Sequence, residues 1–552
     1  MSRLTPVTTT GARLGDPAGA AAVAAGGRGP VSRGAPASWE LGLLSLVLAL
    51  AVALRVWQIE LADLGYDESA AASLVAAWKL HGLFPLTGIV SSVGIVNPPA
   101  WPYLYALALL PGDGPYPVLA LGILFGLVAV LLTWWLGRRW LGPWAGLAAA
   151  LVYAGGFWPL VLGRTAWQPV FLQAPLLLYL DALLSLAVLR RPWALVVACG
   201  WLGIMVQLHY IAAAYALLVP LALWAAWRRV RPVHVVAGAI AGLLPLLPFL
   251  VYELGPEVQL RDLRFLLGSS GGPAEVDLNT VGLLWSIAGN GGAAGLAGPT
   301  SSGLLDMLGR WSSAAQLGPL LFAAGLVVAV LYRPGGARGW LIAAWALLPA
   351  IVLTRHTLAV YFHYLYLDLP GIALGMGALA AAVAASRRRI LAVAVAAALL
   401  AYVAASVGTL AALLGYVQRA DTREGGYGVP LRYNEAAGQA ARTHLPAGGA
   451  VLVGGPGFKV EVLRFTLGYD VPSRAFEDCR QVPYAANALY LLSSEHTPGA
   501  AALSKGGAPL LARVERPGDA YLVFGPLPSP ADLTGLADPG GAEYPVCRNR
   551  GD

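Results

Sequence analysis

Apolar runs long enough to cross a bilayer recur along this chain from about residue 41 to about residue 416. A helix needs roughly 20 predominantly apolar residues to span the hydrocarbon core. The runs fall at 41–59, 116–136, 143–162, 170–189, 193–208, 210–227, 232–252, 314–332, 339–354, 358–384 and 390–414, separated by short breaks rich in Arg or in Gly and Pro. Apolar residues make up 58% of the chain and charged residues 12%, with a mean hydropathy of +0.66. A soluble domain carries about a quarter charged residues, so lipid is the solvent this sequence implies. The expected fold class is a mainly α, polytopic membrane protein with about eleven transmembrane helices and a small C-terminal α/β domain.

The net charge of +7 does not point to nucleic acid, because the Arg residues sit between apolar runs, where they set topology. With the N-terminus in the cytoplasm, the inner segments hold Arg3, Arg13, Arg28 and Arg33; Arg138 and Arg139; Arg190 and Arg191; Arg228, Arg229 and Arg231; Arg333 and Arg338; and Arg387, Arg388 and Arg389. The short outer connections carry far fewer: Arg164 is alone in one and Arg355 in another. The positive-inside rule then holds at each step. It implies an odd number of spans, a plasma-membrane multi-pass protein and an extracytoplasmic C-terminal domain. Residues 1–38, rich in Ala, Gly, Pro and Thr, read as a disordered cytoplasmic tail without a secretory signal.

The transmembrane domain, 39–416, then has two long outer segments, 60–115 and 253–313. In the first, Asn97-Pro98-Pro99 opens an apolar stretch at 100–110 that is short for a span. It reads as an interfacial helix with Trp101, Tyr103 and Tyr105 at headgroup level. The second is Gly-rich and carries Glu253, Arg261, Asp262 and Arg264; it reads equally as a mobile lid or as a plain flexible loop. From 417 to 552 charges, Pro and Gly become frequent. Short strands at 450–453, 489–492 and 520–524 and a helix at 434–444 give the extracytoplasmic α/β domain. Cys199 reads as core. An extracytoplasmic setting permits a Cys479–Cys547 disulfide, which sequence alone does not establish.

The sharpest chemical feature is Tyr66-Asp67-Glu68, just after the first run and ahead of a helical stretch. Two carboxylates near a low-dielectric surface suit a general base that takes a proton from an acceptor hydroxyl. A capped helix start explains the same residues, since acids near a helix N-terminus are favoured by its dipole. His209, in Gln207-Leu208-His209-Tyr210, and Glu253, in Tyr252-Glu253-Leu254, are further polar candidates at the outer face. No P-loop, dinucleotide fingerprint or zinc spacing is present in the sequence.

The stretch Leu54-Arg55, Gly65-Tyr66-Asp67-Glu68-Ser69-Ala70, His81-Gly82 and Asn97-Pro98-Pro99 resembles the start of the GT-C membrane glycosyltransferases. More narrowly it is similar to the protein mannosyltransferase and lipid A aminoarabinose transferase type. The resemblance continues through Gly137-Arg138-Arg139-Trp140-Leu141-Gly142, Gly163-Arg164, His363-Tyr364 and Leu369-Pro370, over roughly residues 40–385. It implies inverting transfer of a sugar from a polyprenyl-phosphate donor, a hexosyl or pentosyl transfer, to a glycan, lipid or protein acceptor at the outer face. Asp67 would be the base, with Glu68 orienting it or the acceptor. The departing lipid phosphate needs positive charge, for which Arg164, Arg355 and His356 are candidates. Lys79, His209, Tyr364 and Glu253 are weaker substrate-binding candidates.

The sequence departs from the family at two places. His363 stands where Arg-Tyr is frequent, and Trp167-Gln168 where an Asp often follows the Arg equivalent to Arg164. Some GT-C enzymes use a divalent cation; nothing in the sequence indicates one. The rival readings are a transporter or flippase for a lipid-linked sugar and a non-catalytic assembly protein. A transporter needs polar groups deep in its spans; Asp181 and Asp368 are the acids so placed, neither with an obvious basic partner. No internal repeat is evident.

Overall fold

The computed structural model describes residues 35–91, 94–265, 275–298, 302–331, 337–356, 360–386, 388–422, 425–454, 460–476, 485, 487–494 and 497–528. The readings made on Arg3, Arg13, Arg28, Arg33, Arg333, Arg387, Cys479 and Cys547 lie outside the described residues.

Within the described residues, each apolar run folds as one helix or as consecutive helical segments. Among the described residues, seven helices are long and apolar enough to cross a membrane: Ser38–Val56, Pro115–Leu141, Gln168–Ala187, Pro232–Glu253, Gly303–Leu331, Phe362–Ala385 and Arg389–Val417. Shorter apolar helices cover Pro143–Gly155, Ala194–Leu208, Tyr210–Ala226 and Ala337–Leu353. The run 143–162 is broken at Gly156 into Pro143–Gly155 and Phe157–Leu162. A break also separates Leu208 from Tyr210, where His209 is extended and a 3₁₀ turn, Tyr210–Leu217, follows.

Gln168–Ala187 is the central helix, 89% buried against its neighbours. Pro115–Leu141 packs along Pro143–Gly155, and a glycine lets the two backbones meet. A Cβ on Gly146 would lie 2.5 Å from the Trp134 carbonyl oxygen and 2.8 Å from the Arg138 nitrogen. Small residues at helix crossings are the usual means of close packing in lipid.

At the same end of the body, charges are paired across helices. Arg138 bonds Glu40 at 2.6 Å and Arg139 bonds Asp181 at 2.9 Å, while the Trp140 indole N–H donates to the other Asp181 oxygen at 2.7 Å. Asp181 therefore has a basic partner, contrary to the sequence reading. The pairing crosses from one helix to another, which spacing along either helix does not reveal. Asp368 is fully buried, and neither carboxylate oxygen has a hydrogen-bond partner among the described residues.

The C-terminal domain is a five-stranded sheet of order β4-β3-β5-β7-β6. Its strands are β3 (Ala450–Gly454), β4 (Ser473–Phe476), β5 (Ala488–Ser493), β6 (Leu510–Arg516) and β7 (Asp519–Phe524). The first pair of the numbering, β1 (Glu275–Val276) and β2 (Arg355–His356), is a separate two-stranded ribbon. Strand β3 runs parallel to β4 and β5, with Val451 opposite Leu489, and β7 is antiparallel to β5 and β6. Alternate side chains face opposite sides of a sheet. Val451, Val453, Leu489 and Leu491 accordingly pack under helices Leu431–His444 and Val460–Leu467. Leu452, Tyr490 and Leu492 pack under Thr497–Lys505. β5 and β7 are buried along their whole length, which is why their continuous apolar sequences were legible. β4 is short and carries Arg474, and β6 is partly exposed; neither was expected.

The sheet domain rests on helix Tyr66–His81, against which Val460–Leu467 packs. The Tyr469 hydroxyl donates to the Ser69 carbonyl at 3.3 Å, and Tyr116 donates to Glu435 at 2.9 Å.

The glycine crossing gives a stability prediction. Gly146→Val is expected to destabilise the helix pair by about 1–3 kcal/mol or more through overpacking, read as a lower melting temperature of the detergent-purified protein. Gly282→Ala, where an added Cβ meets nothing within 4 Å, is expected not to lower it.

Candidate active site

The acidic pair is fixed by the way one helix begins. Gly65 is extended, and helix Tyr66–His81 starts after it. Glu68, in the first turn, reaches back so that its Oε2 accepts the Gly65 N–H at 3.1 Å, answering one of the unpaired donors of a helix start. It is only 5% exposed. The capping account thus holds for Glu68. Asp67 points elsewhere: its Oδ2 accepts the Trp167 indole N–H at 3.1 Å.

Both acids border a cavity of about 250 Å³. Asp63, Asp67 and Glu68 form one side, and Trp158, Trp167 and Tyr366 an aromatic side. Leu296, Gly426 and Tyr427 close a third. That third side joins segments far apart in sequence. The Gly426 and Tyr427 amides donate to the Gly295 and Leu296 carbonyls at 3.0 and 2.9 Å, and Leu431 donates to Ala62 at 3.0 Å. The Tyr427 hydroxyl donates to Leu61 at 2.6 Å. The chain between the last long helix and the sheet domain is therefore a strap across the cavity. A Cβ on Gly425 would lie 2.3 Å from the Leu296 carbonyl oxygen, so the close approach requires glycine there.

The segment 253–313 is not a plain connector. Its described parts include helices Asn279–Ala288 and Ser302–Ala315 and the turn Ala293–Leu296 to which the strap is bonded. The short apolar stretch after Asn97-Pro98-Pro99 is the helix Ala100–Leu109. Trp101 and Tyr105 do not lie at an exposed headgroup level. They are 1% and 0% exposed and turn inward, both donating to the Ala166 carbonyl, at 3.2 and 2.9 Å. Residues four apart share a helix face, and here that face is the packed one. Tyr103, partly buried, donates to Pro85 at 2.7 Å.

The other sequence candidates are dispersed. Arg164 is 2% exposed. Its guanidinium donates to the carbonyls of Leu54, Arg55 and Gln58 at 3.0, 3.3 and 2.9 Å and to that of Trp57. The Leu54 and Arg55 carbonyls are among those the helix Ser38–Val56 leaves unpaired at its C-terminus, and Trp57 and Gln58 follow it. Arg164 borders the first helix, not the cavity. Lys79 bonds Asp113 at 2.9 Å and the Leu109 and Gly112 carbonyls, tying two helices together. Arg355, exposed, and His356 lie on β2 against β1, with His356 3.8 Å from Asp277. Glu253 is fully buried, and its Oε2 accepts the Leu263 N–H at 3.5 Å.

His209 and Tyr364 belong to a ring cluster that ends at the cavity. His209 lies 6.4 Å from His363 and 5.7 Å from Tyr364, and His363 lies 5.1 Å from Trp167. Among the described residues, no group of three or more His, Cys, Asp or Glu side chains is gathered as metal ligands would be.

Sequence reasoning missed Asp63, Trp158, Tyr366, Gly426 and Tyr427 as cavity residues, and noticed Trp167 only as a departure from a family pattern. An aromatic in an apolar run reads as core, and a tyrosine beyond the last run carries no sign of what it folds back to meet.

Arg164→Ala is expected to cost about 3 kcal/mol or more, because the buried Leu54 and Arg55 carbonyls and the part-buried Trp57 and Gln58 carbonyls lose a charged donor. The readout is melting temperature and yield. Arg355→Ala is expected to leave both unchanged.

No protein-family model matches the sequence, and no curated protein matches it. Solved structures do. ArnT from Cupriavidus metallidurans bound to undecaprenyl phosphate superposes with a TM-score of 0.57 at 15% identity, over 90% of this chain and 99% of that one. The apo state of the same protein gives 0.56 at 15% identity, over 88% and 98%. At that identity the likeness is one of fold, and the fold is the ArnT-like GT-C architecture that the sequence motifs resemble.

Proposed function

We propose that this protein is an inverting glycosyltransferase that moves a hexosyl or pentosyl group from a polyprenyl-phosphate donor to an acceptor at the outer face of the membrane. The observation that carries the reading is Asp67, held on the wall of a 250 Å³ cavity in a GT-C fold. A fold relative bound to undecaprenyl phosphate supports a polyprenyl-phosphate donor.

Asp67 takes the proton of the acceptor hydroxyl as its oxygen attacks the anomeric carbon. The bond from that carbon to the phosphate oxygen breaks, the lipid phosphate leaves, and the configuration inverts. Glu68 contributes by holding Gly65 and so the turn that presents Asp67. Arg164 acts through the carbonyls it binds, leaving Arg355 and His356 as candidates for the phosphate, with His209 and Tyr364 behind the aromatic side. Lys79 ties helix Tyr66–His81, whose first turn borders the cavity, to Leu109, Gly112 and Asp113, and Glu253 holds Leu263, apart from the cavity lining. The charge pattern supports a plasma-membrane protein with a cytoplasmic N-terminus, a transmembrane domain over 39–416 and an extracytoplasmic domain over 417–552. The acceptor, whether glycan, lipid or protein, meets the donor between helix Tyr66–His81 and the strap. A transporter or flippase reading is weakened by the Arg139–Asp181 pair, which leaves Asp368 as its support.

Asp67→Asn in membranes supplied with a radiolabelled polyprenyl-phosphate sugar is expected to lower turnover by about 10²–10⁴-fold, the usual contribution of a general base, with normal folding. Near-normal turnover would remove Asp67 as the base. An intact donor in the presence of wild-type protein and a range of acceptors would remove the transferase reading.

A further inference from the structure

Trp167 is built into the molecule more firmly than a wall residue of a cavity needs to be. It immediately precedes the central helix Gln168–Ala187. Its own N–H donates to the Thr165 hydroxyl at 3.3 Å. The carbonyl of Ala166, one residue before it, accepts from both Trp101 and Tyr105. Three residues before it, Arg164 anchors the same short loop to the end of the first helix. Its ring meets His363 edge-on at 5.1 Å and Tyr366 at 6.2 Å. From that frame the indole N–H reaches Asp67 Oδ2 at 3.1 Å.

An indole N–H is a donor only. It cannot take the proton that Asp67 is to accept, so it does not compete as a base. What it can do is fix the carboxylate plane and favour its anionic form, since a hydrogen bond to the charged state stabilises that state. A base held in one orientation meets the acceptor hydroxyl without first losing rotamer freedom. We infer that Trp167 is the positioning residue of Asp67: through its indole N–H it holds the Asp67 carboxylate oriented and ionised at the cavity wall. This rests on the transferase reading above.

Trp167→Phe removes the donor and keeps an aromatic ring; Trp167→His restores an N–H donor. In the labelled-donor assay Trp167→Phe is expected to lower kcat by about 10–100-fold, as loss of orientation and of a charge-assisted hydrogen bond does. KM for the lipid donor should stay within about twofold. The acid limb of the pH–rate profile should move to higher pH. The sign follows because removing a donor makes the carboxylate harder to ionise, and the reaction needs it ionised. Trp167→His should recover part of kcat and move the limb back.

An unchanged kcat and pH profile in Trp167→Phe would overturn the inference. So would an equal fold-loss when Trp167→Phe is added to Asp67→Asn, because a positioning residue has nothing left to position there. If Trp167→Phe does not fold, Trp167→His decides: with wild-type-like folding, an acid limb displaced to higher pH and a kcat no better than that of Asp67→Asn would overturn it, because the restored donor would then do nothing. Failure of the transferase reading looks different, since the wild-type protein would then leave the labelled donor intact, whatever residue stands at 167.

Discussion

A helix that stops leaves its last carbonyls without partners, and where the first long helix stops, one guanidinium answers two of them and binds two more carbonyls of the chain that follows. Arg164 binds the carbonyls at residues 54, 55, 57 and 58. Arg55, itself fully buried, donates in the opposite direction to Ala154 and Pro159. Arg164 locks the end of the first helix to the loop before the central helix, and Arg55 ties it to helices Pro143–Gly155 and Phe157–Leu162. Everything placed by that loop, Trp167 included, and everything placed by the chain leaving the first helix, Asp63 to Glu68 included, takes its position from this knot. The adjoining acidic and aromatic parts of the cavity wall are thereby held in register by charged hydrogen bonds, which a low-dielectric setting strengthens.

The sheet domain is part of the same construction. Its connecting strap donates main-chain hydrogen bonds to Gly295, Leu296 and Ala62, and Tyr427 is buried beneath it with its hydroxyl on Leu61. The cavity is thus bounded by the chain after the first helix, the loop before the central helix and the strap after the last long helix. None of these pieces alone makes an enclosed space. The helical body supplies rigidity through glycine-mediated contacts such as Gly146 on Trp134 and Arg138. The cavity residues are carried on the short, hydrogen-bonded segments between helices.

Much of this was legible beforehand, and the reason is physical. Lipid solvent imposes long apolar runs, so the helices at 38–56, 115–141, 168–187 and 389–417 follow from hydropathy alone. Fully buried strands such as Leu489 to Leu492 announce themselves in the same way. The acids at 67 and 68 stood out because adjacent carboxylates just after an apolar run suit a general base, although a capped helix start accounts for the same pattern. Their roles separated only when the side chains were seen: Glu68 turns back on its own helix, and Asp67 turns toward Trp167. The inward turn of Trp101 and Tyr105 was missed because an amphipathic helix at an interface and a helix packed on protein share one pattern. Arg164 was read as a phosphate partner because an arginine near a span end carries the same signature whether it meets a ligand or a carbonyl.

The sequence by itself determined that this is a helical membrane protein with a small α/β domain after its last apolar run, and that a carboxylate pair follows the first. Those are properties of solvent preference and local order, which a linear pattern records. Only the tertiary structure decided which of the polar residues meet. It placed Asp67 against Trp167, Asp181 against Arg139 and Tyr427 against the chain at 61, across sequence separations of 100, 42 and 366 residues. Such encounters are set by how helices cross and where loops return, and hydrogen-bond directionality, not hydropathy, selects among them.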